Sequence, residues 1–397
     1  MIQRPCKAGP VLRPSAARRP EPGWPIRDVL RSYTRDTYIR RTPLCDSCDE
    51  PEAFAGGILD CATGIFEYDL SPRVAKALCE FDVHRLDRYT PYSIEVRLKQ
   101  AILDRFRPAG VTEQQVFLGH GSFNLLERLI HKFLKPGMMA GVGPQFSEVP
   151  SEFEAAGGHY RQFLLTEPDA SLPMNALERE LGTDAWSVLY LDNPNNPLGR
   201  AFDPAQVEHL AAICDRTGTV LLVDEAFGDY LDDAASAIHL VPRYRNLIVV
   251  RSFSKALGLA GERIGYMFLS AQLARVYREV DVPYEPGIVA QTLAIETLSD
   301  PAWMDRVRAE VRQAKKRIVE ALSHTDVRVL PTHPDVAIMA IQRPGADLSC
   351  DLRQKGIVAL PGSAFANTHP VWDDSFCRLR VMHGDQLDLL CARLTTL

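Results

Sequence analysis

The sequence predicts an α/β fold: a mostly parallel sheet with helices on both faces, joined to a smaller α+β domain. Three observations carry this. From Val116 onward, short apolar runs alternate with segments of helical period, and apolar strands alternating with helices belong to sheets buried on both faces. The runs end in polar residues, among them Asp192, Asp224 and Ser252; in such sheets the carboxyl ends of strands open on a ligand crevice. From residue 302 the pattern changes to one long helix, several short strands and a final helix.

The elements follow in order. Residues 1–25 are rich in Pro and Arg and read as a flexible arm. They lack the apolar stretch of a secretory signal, and Arg18-Arg19 is followed by "PEPGWP" rather than an apolar run. Residues 26–84 are expected to pack with the small domain. Residues 85–285 make the large domain and 286–397 the small one. "QVFLG" (115–119) is a buried strand, and "SFNLLERLIHKFLKPG" (122–137) a helix with Ser122 as N-cap and Pro136-Gly137 as its stop. "WSVLYLD" (186–192) is a strand, and "DPAQVEHLAAICDRTG" (203–218) a helix that opens on Asp-Pro and closes on Gly. "TVLLVDE" (219–225), "NLIVVRS" (246–252) and "RIGYMFL" (263–269) continue the sheet. The small domain has a helix over 302–323, strands at 327–331, 336–342, 357–362 and 376–382, and a terminal helix.

Bulk properties exclude several classes. The 397 residues are 46% apolar and 24% charged, with a net charge of −6. A nucleic-acid or anionic-membrane binder needs a basic field, which this chain lacks. No apolar run is long enough to span a bilayer. Nine scattered cysteines suit a reducing cytoplasm better than a disulfide framework. Cys45 and Cys48 form one C-x-x-C without the second pair that zinc requires, so no metal site is expected.

Chemistry concentrates in "RSFSKALGLAGERIGY" (251–266). Lysine is ordinarily a solvated cation, but with a depressed pKa it forms imines. Ser252, Ser254 and Arg263 supply hydroxyls and a planar fork for a phosphate. An imine-forming Lys255 beside a phosphate cradle suggests pyridoxal phosphate. Asp224 ends an apolar run and needs a partner when buried; facing a pyridine nitrogen it would keep the ring an electron sink. By itself Asp224 suits a cap of the following turn equally well. "DNPNNPLGR" (192–200) is a tight loop that could present the Asn196 amide, or simply a turn. "GHGSFNLL" (119–126) is a turn into a helix start, where backbone N–H groups can seat a phosphate.

The ordered trio "NPNNPLG", "VDEAF" and "SFSKALGLAGERIGY" resembles the fold-type I pyridoxal-phosphate enzymes, specifically class I/II aminotransferases of the histidinol-phosphate aminotransferase and threonine-phosphate decarboxylase branch. The resemblance covers residues 58–397. It implies that Lys255 forms the imine to the cofactor and acts as the proton-transfer base, that Asp224 pairs with the pyridine nitrogen, and that Asn196 bonds the phenolic oxygen. It implies a phosphate seat of Gly121, Ser122, Phe123, Ser252, Ser254 and Arg263, with Phe146 stacked on the ring. Arg380 matches the arginine that clamps a substrate α-carboxylate, and Tyr89 the tyrosine sent to the neighbouring subunit's phosphate in a homodimer.

Three departures bear on substrate and reaction. Phe227 stands where many relatives have a tyrosine that bonds the phenolic oxygen. The loop at 60–72, which includes Gly64 and lies over the substrate in the family, lacks the "ENP" element. "GSFN" (121–124) replaces "GSDE". The expectation is a cytoplasmic aminotransferase of a specialised biosynthetic route, acting on an amino acid or derivative. Decarboxylation, elimination or replacement, or cyclisation on the same scaffold is the alternative, and a non-catalytic relative the second alternative.

Overall fold

The computed structural model describes residues 54, 56–183 and 186–397. The 1–25 arm, Cys45 and Cys48 lie outside the described residues. The chain enters through β1 (Leu59–Asp60), then a helix at Pro72–Cys79 that Ser71 caps, and a longer one at Tyr92–Arg105. Seven strands follow: β2 (Val116–Gly119), β3 (Met138–Gly143), β4 (His159–Leu164), β5 (Val188–Asp192), β6 (Val220–Asp224), β7 (Leu247–Ser252) and β8 (Gly265–Leu269). They form one sheet in the order β2-β8-β7-β6-β5-β3-β4. Only β8 runs against its neighbours; the other pairings, from β7 to β4, are parallel.

This is the predicted sheet, with β3 and β4 added to it. Alternate residues of its strands face two separate apolar clusters. Leu221 and Val223 of β6 belong to one, and Leu222 to the other. Val249 and Ile248 of β7 divide the same way. Both faces are therefore covered, and each fully buried Leu or Val contributes about 1.5–3 kcal/mol.

The helix at Pro204–Thr217 begins at the Asp203 cap and ends on Gly218 at φ 74°, as read from sequence. The helix after β2 differs from its reading. His120, not Ser122, is the cap residue, the α-helix spans Gly121–Arg128, and Leu129–Phe133 continue it as a π-helical turn.

Beyond β8 a 22-residue helix (Pro301–Leu322) leads into β9 (Arg328–Val329), β10 (Ile338–Gln342), β11 (Ile357–Val358), β12 (Leu360–Pro361) and β13 (Phe376–Arg380). β12-β13-β10-β9 is an antiparallel sheet, and β1 pairs in parallel with β11. The N-terminal segment thus joins the smaller domain at Leu59–Asp60, and places the 60–72 loop beside β13. Cys61, Cys79, Cys214, Cys377 and Cys391 carry thiols, whereas Cys350 is disulfide-bonded.

Candidate active site

Parallel register sets the site. Asp192 and Asp224 are the last residues of β5 and β6 and lie side by side. Ser252 ends β7. The turn after β7 carries Lys255, half-buried, with its Nζ 5.0 Å from the centre of the Phe227 ring. Burial first, then the nearby Arg378 and Arg263 cations, push the Lys255 ammonium down to about 7, against the opposing pull of Asp224. A lysine so placed is available as an uncharged amine near neutral pH.

Asp224 is 4% exposed. Its carboxyl accepts from the Tyr190 hydroxyl at 3.2 Å and from the Ala226 N–H at 2.9 Å. Burial pushes it up to about 6, while those two donors and Lys255 hold it down. Asn196 is buried; its Oδ1 accepts from Arg378 Nη1 at 3.0 Å. Arg378 also donates to the Ala62 carbonyl. A Cβ on Gly64 would lie 3.3 Å from Arg378 Nη1 and 3.4 Å from the tip of Phe227. The 60–64 loop, Phe227, Asn196 and Arg378 therefore close around one space beside Lys255.

A second group gathers at the helix start. Arg263, at φ 51°, donates to Ser254 Oγ at 3.1 Å and to the Ala260 carbonyl at 3.0 Å. Ser252 Oγ accepts from the Ser254 N–H at 3.1 Å. Gly121 has φ 82°, and a Cβ there would come within 2.8 Å of Arg263 Nη2. Only glycine permits both that backbone and that approach. Gly265 likewise brings β8 against the Ser122 N–H, 2.6 Å from where its own Cβ would stand. Phe123 meets Phe146 edge to face at 6.1 Å. Guanidinium, hydroxyls and a helix N-terminus on one spot are the donor set of a phosphate seat, and a lysine and a buried carboxylate beside it fit pyridoxal phosphate.

Two further sequence-predicted residues have partners of their own. Arg380 is engaged by Glu67, at 3.1 and 3.0 Å, and by the carbonyls of Asp60 and Ile65. Tyr89 is 78% exposed and packs on Tyr284, ring centres 4.7 Å apart. Sequence reading passed over Arg378 and Tyr190, and gave Asp192 no role beyond ending a strand at the crevice. Arg378 had a signal: it lies two residues before Arg380 in a strand, so both arginines share a face. Tyr190, in the middle of an apolar run, had none. Among the described residues no acidic, His or Cys cluster could hold a metal, and no helix is long and apolar enough to cross a membrane.

Known proteins resemble this chain in sequence and in fold. The model of the family "Aminotransferase class I and II" matches residues 57–394. The histidinol-phosphate aminotransferase of Shouchella clausii is 27% identical over 86% of both chains. That of Syntrophus aciditrophicus is 31% identical over 69% of this chain and 74% of its own. Among solved structures, the N-succinyldiaminopimelate aminotransferase of Mycobacterium tuberculosis superposes with a TM-score of 0.80 at 21% identity, covering 94% of this chain and 99% of that one. The histidinol-phosphate aminotransferase of Clostridium acetobutylicum gives 0.75 at 19% identity, covering 85% and 98%.

Proposed function

The chain belongs to the class I and II aminotransferases, which are pyridoxal-phosphate-dependent transferases of fold type I, and on that premise we propose that it transaminates an α-amino acid or amino-acid derivative through Lys255. The observation that carries this is Lys255 itself: half-buried, its ammonium pushed down to about 7, between a buried carboxylate and a buried arginine.

When bound, pyridoxal phosphate supplies an aldehyde and an electron-accepting ring for the bond broken at the substrate's α-carbon. This chain's residues do the rest. Gly121, Ser122, Ser252, Ser254 and Arg263 would hold the phosphate, Phe123 bordering it, and Phe146 would cover the ring. Asp224, kept in place by Tyr190 and Ala226, would hold the proton at the ring nitrogen. Asn196 would bond the phenolic oxygen, and Phe227, lacking a hydroxyl, leaves that oxygen one donor short. Arg378, with Asn196 and the Ala62 carbonyl as fixed partners, would orient a substrate carboxylate, a task its planar fork suits. Lys255 would then take the α-proton and return it, since its pKa lies near the operating pH.

The relatives' names make an amino-acid-derived phosphate ester a candidate substrate beside simple amino acids. The altered 60–72 loop supports a specialised biosynthetic substrate. Tyr89 and the apolar side chains exposed near it, Leu86 and Tyr92, support a homodimer in which Tyr89 serves the neighbouring site. The test is a half-reaction followed by absorbance and product mass. Wild type should convert an amino donor to its keto acid and leave pyridoxamine phosphate, and Lys255→Ala should not. Carbon dioxide release without pyridoxamine phosphate would replace transamination by decarboxylation, the reading that Phe227 favours.

A further inference from the structure

We propose that Asp192 is a positioning residue of the cofactor site, one buried carboxyl group that fixes the ring-covering Phe146 and the amide-bearing Asn196 relative to each other. The proposal rests on the pyridoxal-phosphate reading above.

The geometry is specific. Asp192 is 3% exposed. A single oxygen, Oδ2, accepts the Phe146 N–H at 3.0 Å and the Asn196 N–H at 3.0 Å. Its other oxygen, Oδ1, accepts from Asn195 Nδ2 at 2.9 Å, and the same Nδ2 donates to the Pro144 carbonyl at 2.8 Å. Two turns remote in sequence, 144–146 after β3 and 193–200 after β5, are thereby stitched together at one carboxyl. Neither turn holds its site residue by regular secondary structure: the Phe146 and Asn196 N–H groups lie outside any sheet or helix ladder. A buried N–H without an acceptor is costly, and the Asp192 carboxyl contributes to the backbone placement of both turns.

Asp192 acts through the two residues whose N–H groups it holds. Burial, and the Asp224 carboxyl beside it, push its own carboxyl up to about 8, against the pull of its N–H donors. Its role in the geometry is that of an acceptor for three donors.

That role makes the proposal testable. Asp192→Asn keeps an oxygen for Phe146 and Asn196; its amide nitrogen then faces Asn195 Nδ2, which loses that acceptor and retains the Pro144 carbonyl. Asp192→Ala strands both N–H groups. Asp192→Ser, whose hydroxyl is too short to reach both, carries the same expectation should the alanine variant fail to fold. Apoprotein is titrated with pyridoxal phosphate, and the induced circular dichroism per bound cofactor is recorded, since it follows the placement of the ring. Urea midpoints report stability separately.

Asp192→Ala or Asp192→Ser should weaken cofactor binding by about tenfold or more and change the induced dichroism. Asp192→Asn should stay within about threefold of wild type with the dichroism preserved. Three results would overturn the proposal: wild-type affinity and dichroism in the alanine or serine variant; a lowered urea midpoint with unchanged dichroism, which is a structural role alone; or an asparagine variant as impaired as alanine, which assigns the effect to charge. Failure of the wild-type chain to take up pyridoxal phosphate at all would sink the cofactor reading instead, before any variant is compared.

Discussion

Arg378→Met is the substitution that separates two arginines on one face of one strand. Arg378 is 1% exposed, and its Nη1 donates to Asn196 Oδ1 at 3.0 Å. Methionine fills similar space without charge or donors. Removing one partner of a buried, hydrogen-bonded charge pair costs about 2–5 kcal/mol, and each 1.36 kcal/mol is tenfold in rate. For an amino donor with a free α-carboxylate, kcat/KM should therefore fall roughly 30- to 5,000-fold. The paired control is an amine lacking that carboxylate, whose turnover should fall far less. A pH arm is independent of substrate. Arg378 is the first-ranked cation depressing Lys255, so its removal should move the Lys255 titration in apoprotein above about 7, read as the pH dependence of amine modification. Arg380→Met, by contrast, removes the partner of Glu67 and should leave discrimination between amino acid and amine nearly intact. If Arg378→Met keeps kcat/KM within threefold while Arg380→Met loses the discrimination, the carboxylate clamp belongs to Arg380 and the reasoning fails.

Other outcomes follow from the same geometry. Lys255 is depressed from 10.5 to about 7, so the unfolded chain binds the extra proton between those values, and apoprotein stability should rise with pH across that window. Lys255→Met should accordingly be more stable than wild type at pH 6, by at most about 5 kcal/mol, with the gap closing toward pH 10; urea melts with a constant gap would contradict this. Gly121→Val forces a β-branched residue to φ 82° and its Cβ toward Arg263, and should weaken cofactor uptake by tenfold or more, about the effect of one lost charged hydrogen bond; unchanged uptake would remove Arg263 from the phosphate seat. Arg251 is fully buried between Glu225 and Asp229, at 2.8 and 2.9 Å, directly behind Asp224 and Ser252. Arg251→Met should cost about 3–5 kcal/mol in equilibrium unfolding by stranding those carboxylates, and a loss below 1 kcal/mol would show them protonated or rearranged.

Local pattern settled a great deal here. The apolar runs that became β5, β6 and β7 are buried on both faces, and such runs advertise themselves in one dimension. The Asp203 cap and Gly218 terminator bound their helix because capping depends on neighbours in the chain. "NPNNPLG", "VDEAF" and "SFSKALGLAGERIGY" named the cofactor chemistry because each sits at a strand end, and parallel strands deliver their ends to one edge. What sequence left open depends on contacts between residues far apart. β3 and β4 went unread because glycines and exposed polar residues interrupt their apolar pattern.

The choice between Arg378 and Arg380 shows the limit most sharply. Both lie on β13, two residues apart and on one face, and the resemblance marked only Arg380. The 60–72 loop gives them different partners: β1 pairs with β11, Glu67 lies against Arg380, and the Ala62 carbonyl and Asn196 receive Arg378. Asp192 is the same case: a polar residue ending a strand in sequence, and an anchor for Phe146 and Asn196 only once β3 and β5 lie side by side. Residue types and their order determined which chemistry this chain carries. The pairing of distant strands decided which of its charged groups face that chemistry, because hydrogen bonds and charges act over a few ångströms of space and are indifferent to separation along the chain.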